Sequence, residues 1–429
     1  MRYDIIDNQL FISNRLRFST KLKSSSVAIF NSNDIMPTNA DGTMLFRQNN
    51  DLFYLCGIDQ EETVLVICPD APNPKQREML FIKETNEKIE TWEGKKLSKE
   101  EAKNISGIAQ VHWLQNLQNI LNGLVVECDN IYLNSNEHIR SKSHVESRDQ
   151  RWIKQLKQQF PLHNYERIAK IMNELRPIKH SIEIALINTA IDITAKAFQR
   201  VLKFVKPGVA EYEIEAEITH DFLWNRATRH AYTPIIASGG SSCILHYITN
   251  NKICNDGEVL LLDFGAEYAN YAADLTRTIP ISGRFSDRQR KVYQSVLNIQ
   301  KEAKKMLIKG NNLEIYHKEV GKIVEKELVE LSLLKSEDIK NQTEDNPLYK
   351  KYFMHGTSHY LGLDVHDVGS RYRKFEPGMV FTCEPGIYIK EEGIGIRLEN
   401  NILITETGNI DLMEQIPIEI DEIETLMKK

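Results

Sequence analysis

The sequence has few of the features that mark nucleic-acid-binding, membrane and secreted proteins. Its 54 Lys and Arg residues are interleaved with 60 Asp and Glu residues, so no basic cluster could follow a phosphate backbone. No apolar run approaches the roughly 20 residues that a membrane span needs. Segment 1–7 mixes apolar residues with acids and lacks the apolar core of a secretory signal. We therefore expect a cytoplasmic protein that binds neither nucleic acid nor membrane.

Cysteine is also scarce, and the six cysteines form no CxxC pair. Most of them lie in apolar, strand-like runs. They are Cys56, Cys68, Cys128, Cys243, Cys254 and Cys383. This pattern favours buried free thiols in a reducing compartment, with disulfides or a cysteine-bound metal as the alternatives.

The chain, at 429 residues, is too long for one hydrophobic core, and its 41% hydrophobic and 27% charged residues are typical of a globular enzyme. β-rich runs alternate with helix-like stretches in the first part, which predicts a small α/β domain. These runs are 26–30, 62–68, 79–82 and 130–133. A helix-like segment over 164–175 precedes Pro177 and a candidate N-cap at Ser181, and we divide the chain there into 1–168 and 169–429.

The second part shows two long amphipathic helices. One covers 184–205, and the other begins with a capping-box pattern at Ser286 and Gln289. Each ends at a glycine and is followed by another helix, 212–224 or 313–328. The spacing of about a hundred residues suggests an internal duplication, although chance is a competing explanation. Strands dominate from residue 258 onward, so we predict helices packed outside a sheet.

Four acids and one histidine stand where short patterns predict strand ends or edges. They are Asp263, Asp274, His359, Glu384 and Glu399. If the chain turns near Tyr268 and Ala269, Asp263 and Asp274 face each other across an antiparallel pair, where like charges repel. Four carboxylates in one pocket need cations to hold them together, and two divalent ions would balance their charge.

Each of these residues also has a structural alternative. Asp263 could cap a turn while Asp274 pairs with Arg277, and Arg397 with Glu399 could form an exposed salt bridge on one strand face. A lone histidine is more often a core residue than a ligand. Three of them cluster within segment 355–367, however, namely His355, His359 and His366. Such a cluster beside separate acids favours a two-metal hydrolase of unknown substrate.

These segments, in this order, resemble the metal site of the pita-bread metallopeptidases. Segment 355–369 together with Glu384-Pro385-Gly386 is especially similar to bacterial Xaa-Pro aminopeptidases, the aminopeptidase P family. Segment 46–57 resembles the N-domain signature of that family, which methionine aminopeptidases lack. The resemblance covers essentially the whole chain. It implies an α+β pita-bread catalytic domain, with internally duplicated helices on a curved antiparallel sheet, behind an N-terminal α/β domain.

The resemblance also implies a cofactor of two divalent metal ions. Asp263 would chelate one ion, Asp274 and Glu399 would bridge both, and His359 with Glu384 would complete the other. A hydroxide bridging the ions would attack the carbonyl of the first substrate residue, and Glu384 would pass a proton to the leaving nitrogen. The oxygen-rich ligand set favours Mn²⁺, with Co²⁺, Fe²⁺ or Zn²⁺ as alternatives.

Further site residues are implied by the same resemblance. They are His246, His355, His366, Arg397 and Tyr388. The histidines would donate to the substrate carbonyl and shape a proline pocket, and Arg397 would orient Glu399 or a neighbouring carboxylate. Tyr388 matches an active-site tyrosine. Trp92 resembles a tryptophan that reaches the site of a neighbouring subunit in a homo-oligomer, dimer or tetramer, and packing within its own domain is the alternative.

The implied function is release of the first residue from peptides with proline second. An X-Pro bond has no N–H and a locked φ, so peptidases that grip an extended backbone fail there. The alternatives are a prolidase, which needs a free carboxylate directly after the proline, and a pita-bread binding protein without catalysis. The chain departs from the family in short stretches after Gly369 and Tyr388 and in Asn400-Asn401, where acids often follow. These departures bear on the width of the substrate cleft.

Overall fold

The structure is a computed structural model that describes residues 2–141, 143–343 and 346–428. Its contacts divide the chain into an N-terminal unit, Asp4–Arg176, and a C-terminal unit, Pro177–Lys429 with Met1–Tyr3. The division follows Arg176, whereas the sequence led us to place it after residue 168. Among the described residues, no helix is both long and apolar enough to span a bilayer.

The N-terminal unit contains a six-stranded mixed sheet in the order β4-β3-β2-β1-β5-β6. The strands are β1 (Ser26–Asn31), β2 (Val64–Ile67), β3 (Glu78–Ile82), β4 (Gln110–Trp113), β5 (Asn130–Leu133) and β6 (Asn164–Arg167). The helices are α1 (Gln9–Ser19), α2 (Asn50–Cys56), α3 (Glu87–Glu93), α4 (Lys99–Ser106), α5 (Leu117–Val125), α6 (Arg148–Gln159) and α7 (Ile168–Leu175). Strand β1 pairs antiparallel with β2 and parallel with β5, which confirms the expected α/β arrangement.

The predicted helix over 164–175 is wrong in its first part. Asn164–Arg167 is β6, which pairs in parallel with β5, and the helix begins only at Ile168. The Tyr165 hydroxyl is fixed by the carbonyls of Leu156 and Phe160, at 2.8 and 2.9 Å. Backbone pairing to a sheet edge therefore outweighs the helical pattern here.

The C-terminal unit contains two helix pairs, each followed by antiparallel strands. The first half comprises α8 (Ser181–Phe204), α9 (Glu211–Trp224), β7 (Arg229–His230), β8 (Ile235–Ser238), β9 (Val259–Phe264), β10 (Ala266–Tyr268), β11 (Tyr271–Ala272) and β12 (Leu275–Pro280). The second comprises α10 (Asp287–Lys305), α11 (Leu313–Glu330), α12 (Ser336–Lys340), β13 (Val380–Cys383), β14 (Gly386–Ile389), β15 (Ile394–Arg397), β16 (Asn400–Ile404), β17 (Asn409–Asp411) and α13 (Ile420–Leu426). Helix α8 packs on α9, and α10 packs on α11. This repetition agrees with the predicted duplicated architecture.

Two helix N-caps were predicted, and one of them is wrong. Ser286 and Gln289 form the expected capping box at α10. At α8, the N-cap is His180 rather than Ser181, because the His180 ring accepts the N–H of Ile182 at 3.2 Å. The Glu183 carboxylate completes the box by accepting the His180 N–H at 2.8 Å. An imidazole thus replaces the expected hydroxyl as the cap.

The six cysteines are free thiols, and five of them are buried, as the sequence indicated.

The sheets of the C-terminal unit determine where the predicted acidic ligands lie. Strand β9 lies between β8 and β12, and β16 lies between β13 and β17. A bridge between Thr276 and Glu399 joins the strands of the first half to those of the second. The polar ends of both sets of strands therefore meet inside the unit.

A buried acid in the N-terminal unit has an unusual partner. Asp149 is 8% exposed, and Asn31 donates its Nδ2 hydrogen to Asp149 Oδ1 at 2.9 Å. The Oδ1 atom of Asn31 is buried and has no hydrogen-bond partner. Burial raises the pKa of Asp149 to about 7. A protonated Asp149 can supply the O–H donor that Asn31 Oδ1 lacks, so the two side chains match best as an acid–amide pair.

We predict that the substitution Asp149→Asn raises the free energy of unfolding at a pH above the pKa of Asp149. The folded pKa lies above the ordinary value, so the folded state keeps a proton that the unfolded state loses, and stability falls as the pH rises from about 4 to about 7. A neutral amide avoids this loss. Urea unfolding should show a gain on the order of 2 kcal/mol at about pH 8 and little gain at about pH 5. Asp256→Asn, at an exposed acid, is the control. Equal gains at both pH values would contradict the assignment.

Candidate metal centre

Three of the five predicted ligands converge closely. Ligand atoms of Asp274, His359 and Glu399 all lie within 4.8 Å of one another. The Nε2 atom of His359 is 3.4 Å from Asp274 Oδ2. Asp274 immediately precedes β12, and Glu399 stands between β15 and β16, so the cluster draws on both halves of the unit. The structure thus brings together residues that are far apart in sequence.

The other two predicted ligands border this cluster. Glu384 follows β13, and its Oε1 atom is 3.7 Å from His359 Nε2. The Tyr232 hydroxyl oxygen lies 2.6 Å from Asp263 Oδ1 and 2.6 Å from Asp274 Oδ1, so both carboxylates contact the same atom. All five predicted residues therefore surround a single location.

The expected direct pairing of Asp263 with Asp274 is wrong. Asp263 lies opposite Thr276 in the β9–β12 ladder. The turn uses Ala269 and Asn270, both with positive φ, and so lies later in the chain than we expected. Moving the centre of a hairpin by one residue moves each cross-strand partner by two, which keeps side chains on the same face. The two carboxylates therefore still meet, but diagonally and through the Tyr232 hydroxyl.

The structural alternatives for these acids do not hold. Arg277 does not pair with Asp274. Its guanidinium donates to the carbonyls of Thr276 and Glu399, at 2.9 and 2.7 Å, and to Asn400 Oδ1 at 2.7 Å. Asp263 lies within β9 rather than capping a turn. The exposed salt bridge of Arg397 with Glu399 is excluded because the two residues are only 4% and 2% exposed.

Arg397 instead contacts other members of the site. Its guanidinium donates to Asp263, to the Tyr388 hydroxyl at 2.9 Å and to Thr276 Oγ1 at 3.1 Å. The Thr276 hydroxyl in turn donates to Glu399 Oε2 at 2.6 Å. Arg397 therefore orients Asp263 directly and Glu399 only through Thr276.

The electrostatics of the cluster call for cations. Burial raises the pKa of Asp274, Glu384 and Glu399, and neighbouring carboxylates raise it further. The Oε1 atom of Glu399 is buried and has no hydrogen-bond partner. A buried charged acceptor of this kind is costly unless a donor or a cation meets it. The donor set of four carboxylates and one imidazole fits divalent metal ions.

His359 is held in the orientation that a ligand needs. Its Nδ1 atom lies 3.0 Å from the Tyr360 carbonyl and carries the proton that this contact requires. That leaves the lone pair on Nε2, which faces Asp274 and Glu384. The Thr382 hydroxyl also accepts a hydrogen bond from the backbone N–H of His359 at 3.2 Å. A backbone carbonyl behind a histidine commonly sets the tautomer of a metal ligand.

His355 belongs to a different set of contacts. Its Nε2 atom is 2.7 Å from the Tyr388 hydroxyl, and its Nδ1 atom is 2.7 Å from the Gly356 carbonyl. Burial, with the nearby Arg397 charge, lowers the pKa of His355 to about 3, so the ring is neutral. Arg397 then donates to Tyr388, and Tyr388 donates to His355. In this arrangement, the expected donation from His355 to a substrate carbonyl requires one of its present contacts to break.

The two remaining histidines each lie near another histidine of the site. The ring of His366 is 4.3 Å from that of His359 and nearly perpendicular to it. His246 is exposed and lies close enough to His355 to contribute to the lowering of the pKa of His355. The chain around His246 is anchored by the buried Glu211, which accepts from Ser238 N and Oγ, Tyr247 Oη and Lys252 N at 2.7 to 2.9 Å.

Sequence reasoning missed several residues that hold the acids. Tyr232 stands in a segment with no recognisable pattern, and Thr276 follows a predicted ligand without any signal of its own. Asn401 makes two hydrogen bonds with the Asp274 backbone, from Nδ2 to the carbonyl at 2.7 Å and from the Asp274 N–H to Oδ1 at 3.1 Å. Asn400 accepts from Arg277. Asn400 and Asn401, at which the sequence departs from the family, therefore support the acids through Arg277 and through the Asp274 backbone.

Comparison with known proteins agrees with this geometry. A model of metallopeptidase family M24 matches residues 185–406, and a model of the aminopeptidase P N-terminal domain matches residues 11–132. The Xaa-Pro aminopeptidase of Haemophilus influenzae is 34% identical and aligns with 97% of this chain and 96% of its own length. That of Escherichia coli is also 34% identical, with 98% of each chain covered.

Solved structures show the same similarity. A putative aminopeptidase P from Bacillus anthracis is 32% identical, covers 98% of both chains and superposes with a TM-score of 0.91. A glutamate-to-alanine variant of Escherichia coli aminopeptidase P in complex with substrate is 32% identical, covers 99% of both chains and gives a TM-score of 0.88.

We predict that divalent ions stabilise this protein through the acid cluster. A ligand that binds only the folded state adds about 2.7 kcal/mol at a free concentration of about 100 times Kd. Thermal unfolding with Mn²⁺ and with a chelator should therefore differ by several degrees. Asp274→Asn should remove most of that difference, even if the loss of repulsion raises the Tm of its metal-free form. Asp256→Asn should keep the full difference. An equal Tm with Mn²⁺ and with a chelator would contradict the assignment. A full increase in Tm on addition of Mn²⁺ to Asp274→Asn would also contradict it.

Proposed function

Since the chain belongs to metallopeptidase family M24, we propose that it is an aminopeptidase that releases the first residue from peptides whose second residue is proline. One observation carries this proposal. Four carboxylates, three of them buried and Glu384 partly exposed, meet His359 in a chain whose relatives, along nearly their whole length, are named Xaa-Pro aminopeptidases. This agrees with the resemblance that the motifs indicated.

The metal site that we propose holds two divalent ions. Asp263 would bind one ion, His359 with Glu384 would bind the other, and Asp274 with Glu399 would lie between them. Bound there, the ions would supply Lewis acidity and lower the pKa of a water toward neutrality. All but one of the ligands offer oxygen, which favours Mn²⁺.

The protein side chains divide the remaining work. Glu384 stands at the end of β13 beside His359, with Oε2 3.7 Å from His355 Nδ1, and would carry a proton to the leaving proline nitrogen. His366 and His246 would contact the substrate carbonyl and the proline ring. Tyr388 and Arg397 would keep His355 neutral and Asp263 in place, so that these groups are oriented before substrate binds.

We predict that the protein with Mn²⁺ releases the first residue from an X-Pro-Y tripeptide, and that chelation abolishes this until Mn²⁺ is restored. Glu384→Ala and His359→Ala should fold, and loss of a proton-transferring acid should lower kcat by about 10² to 10⁴ fold. Release of X from the tripeptide, followed by chromatography, measures both effects. Glu391→Ala, at an exposed acid nearby in sequence, is the matched control.

Other outcomes of this assay identify the alternatives. Hydrolysis of an X-Pro dipeptide with no action on the tripeptide would indicate a prolidase. Bound metal without any turnover would indicate a binding protein. Full activity after exhaustive chelation would exclude a metal-dependent reaction.

We also propose that the enzyme is a cytoplasmic homo-oligomer, dimer or tetramer, in which Trp92 contributes to a neighbouring site. Trp92 lies on α3 and is 83% exposed, so it does not pack within its own unit. A tryptophan this exposed is uncommon unless it serves an interface. The exposure thus supports the intersubunit role over the packing alternative.

We predict that Trp92→Ala lowers kcat/KM for tripeptides and that subunit mixing restores it. When Trp92→Ala subunits are dissociated and reassembled with Glu384→Ala subunits, hybrid sites combine an intact Glu384 with an intact Trp92. An equal mixture of dimers should regain about a quarter of wild-type activity. Mixing Trp92→Ala with the doubly substituted chain should restore nothing. Failure of the first mixture to recover would show that Trp92 acts within its own subunit or not at all.

A further inference from the structure

Segment 362–368 brings His366 beside the metal centre without any regular secondary structure. It is neither helix nor strand over its whole length. The ring of His366 nevertheless lies 4.3 Å from that of His359, at 85°. A histidine on an irregular segment is positioned only as well as the segment is anchored. The anchor lies at the next residue.

Asp367 forms a fully buried ion pair. Its Oδ2 atom is 2.9 Å from Lys179 Nζ, and each side chain is 1% exposed. Its Oδ1 atom accepts the Val368 N–H at 2.9 Å, and its own N–H donates to the Tyr360 carbonyl at 2.9 Å. Asp367 is thus held through its backbone and through both carboxylate oxygens.

Lys179 is itself fixed at the start of the C-terminal unit. Its N–H donates to the Gly378 carbonyl at 2.9 Å, and Ile178 forms a bridge with Met379 directly before β13. A Cβ at Gly362 would lie 2.3 Å from Asp367 Oδ2 and 2.9 Å from Lys179 Nζ. The ion pair therefore fills the space between segment 362–368 and the chain that leads into α8.

The charge of Lys179 also acts on a further buried acid, Glu183, whose hydrogen-bond partners are other groups. Glu183 on α8 is 1% exposed and accepts from the His180 N–H at 2.8 Å and from the Tyr271 hydroxyl at 3.1 Å. A buried ion pair adds little net stability, because desolvation of both charges offsets their attraction. What the pair of Lys179 and Asp367 does provide is one fixed geometry.

We propose that Lys179 is a positioning residue, whose ion pair with Asp367 holds His366 beside the metal centre and so determines how productively proline peptides bind. This inference rests on the proposed function for its activity readout. It also predicts an effect on ligand binding that does not depend on turnover.

The test is a double-mutant cycle of Lys179→Met and His366→Ala in the metal-loaded protein. A misplacement of about 1 Å can cost up to about 10²-fold, so Lys179→Met alone should lower kcat/KM for X-Pro-Y by about 10- to 100-fold. In the His366→Ala background, the same substitution should cost less than about 3-fold, because the group it positions is absent. Metal content should stay at the wild-type value. Lys206→Met, at an exposed lysine, should change nothing.

The same cycle is run on the Kd of a Pro-Y dipeptide, measured by calorimetry. If Lys179→Met lowers affinity and kcat/KM equally in the wild-type and the His366→Ala backgrounds, Lys179 is a purely structural residue and the proposal is overturned. A folded Lys179→Met variant with wild-type affinity and wild-type kcat/KM would also overturn it. If Lys179→Met does not fold, Lys179→Met with Asp367→Leu removes both charges and takes its place under the same expectations. A wild-type protein that binds the dipeptide without cleaving the tripeptide would overturn the proposed function alone.

Discussion

Four carboxylates gathered in one place, three of them buried and Glu384 partly exposed, are the constraint on which the C-terminal unit depends. Each of Asp274, Glu384 and Glu399 has its pKa raised by burial and by the others, which means that the fold alone does not stabilise their charges. The surrounding groups orient these acids more than they neutralise them. Tyr232 shares one hydroxyl between two carboxylates, and Thr276 relays a single hydrogen bond. The final stabilisation is left to bound cations.

The duplicated architecture explains how such a cluster can form. Each half delivers acids at the ends or edges of its strands, and the bridge between Thr276 and Glu399 brings those strands together. Arg277 crosses from the first half to hold the Glu399 carbonyl, and Asn401 crosses from the second to hold the Asp274 backbone. These reciprocal contacts tie each acid to the opposite half, so a shift of one half would displace ligands from both.

Much of this site could be predicted from the sequence, because an acid closing an apolar strand has little structural reason to be there. That argument found Asp263 and Glu384. It misplaced the partner of Asp263, since the turn at Ala269 and Asn270 sets the register and its one local signal is the tendency of Asn270 to adopt positive φ. The supporting residues were invisible for another reason. The partner of Asn401 is 127 positions away, and polar side chains that support a site from behind carry no periodicity.

Burial and the neighbouring Arg397 guanidinium explain why His355 is neutral. A protonated His355 would place a second positive charge beside Arg397 in a buried site, which is unfavourable. The pKa of His355 is therefore lowered to about 3. A neutral ring can accept from the Tyr388 hydroxyl, and Tyr388 can then accept from Arg397, so the neutral ring and the direction of both hydrogen bonds have one cause. Because the four carboxylates outnumber the one guanidinium, their remaining negative charge is left to bound cations and not to His355.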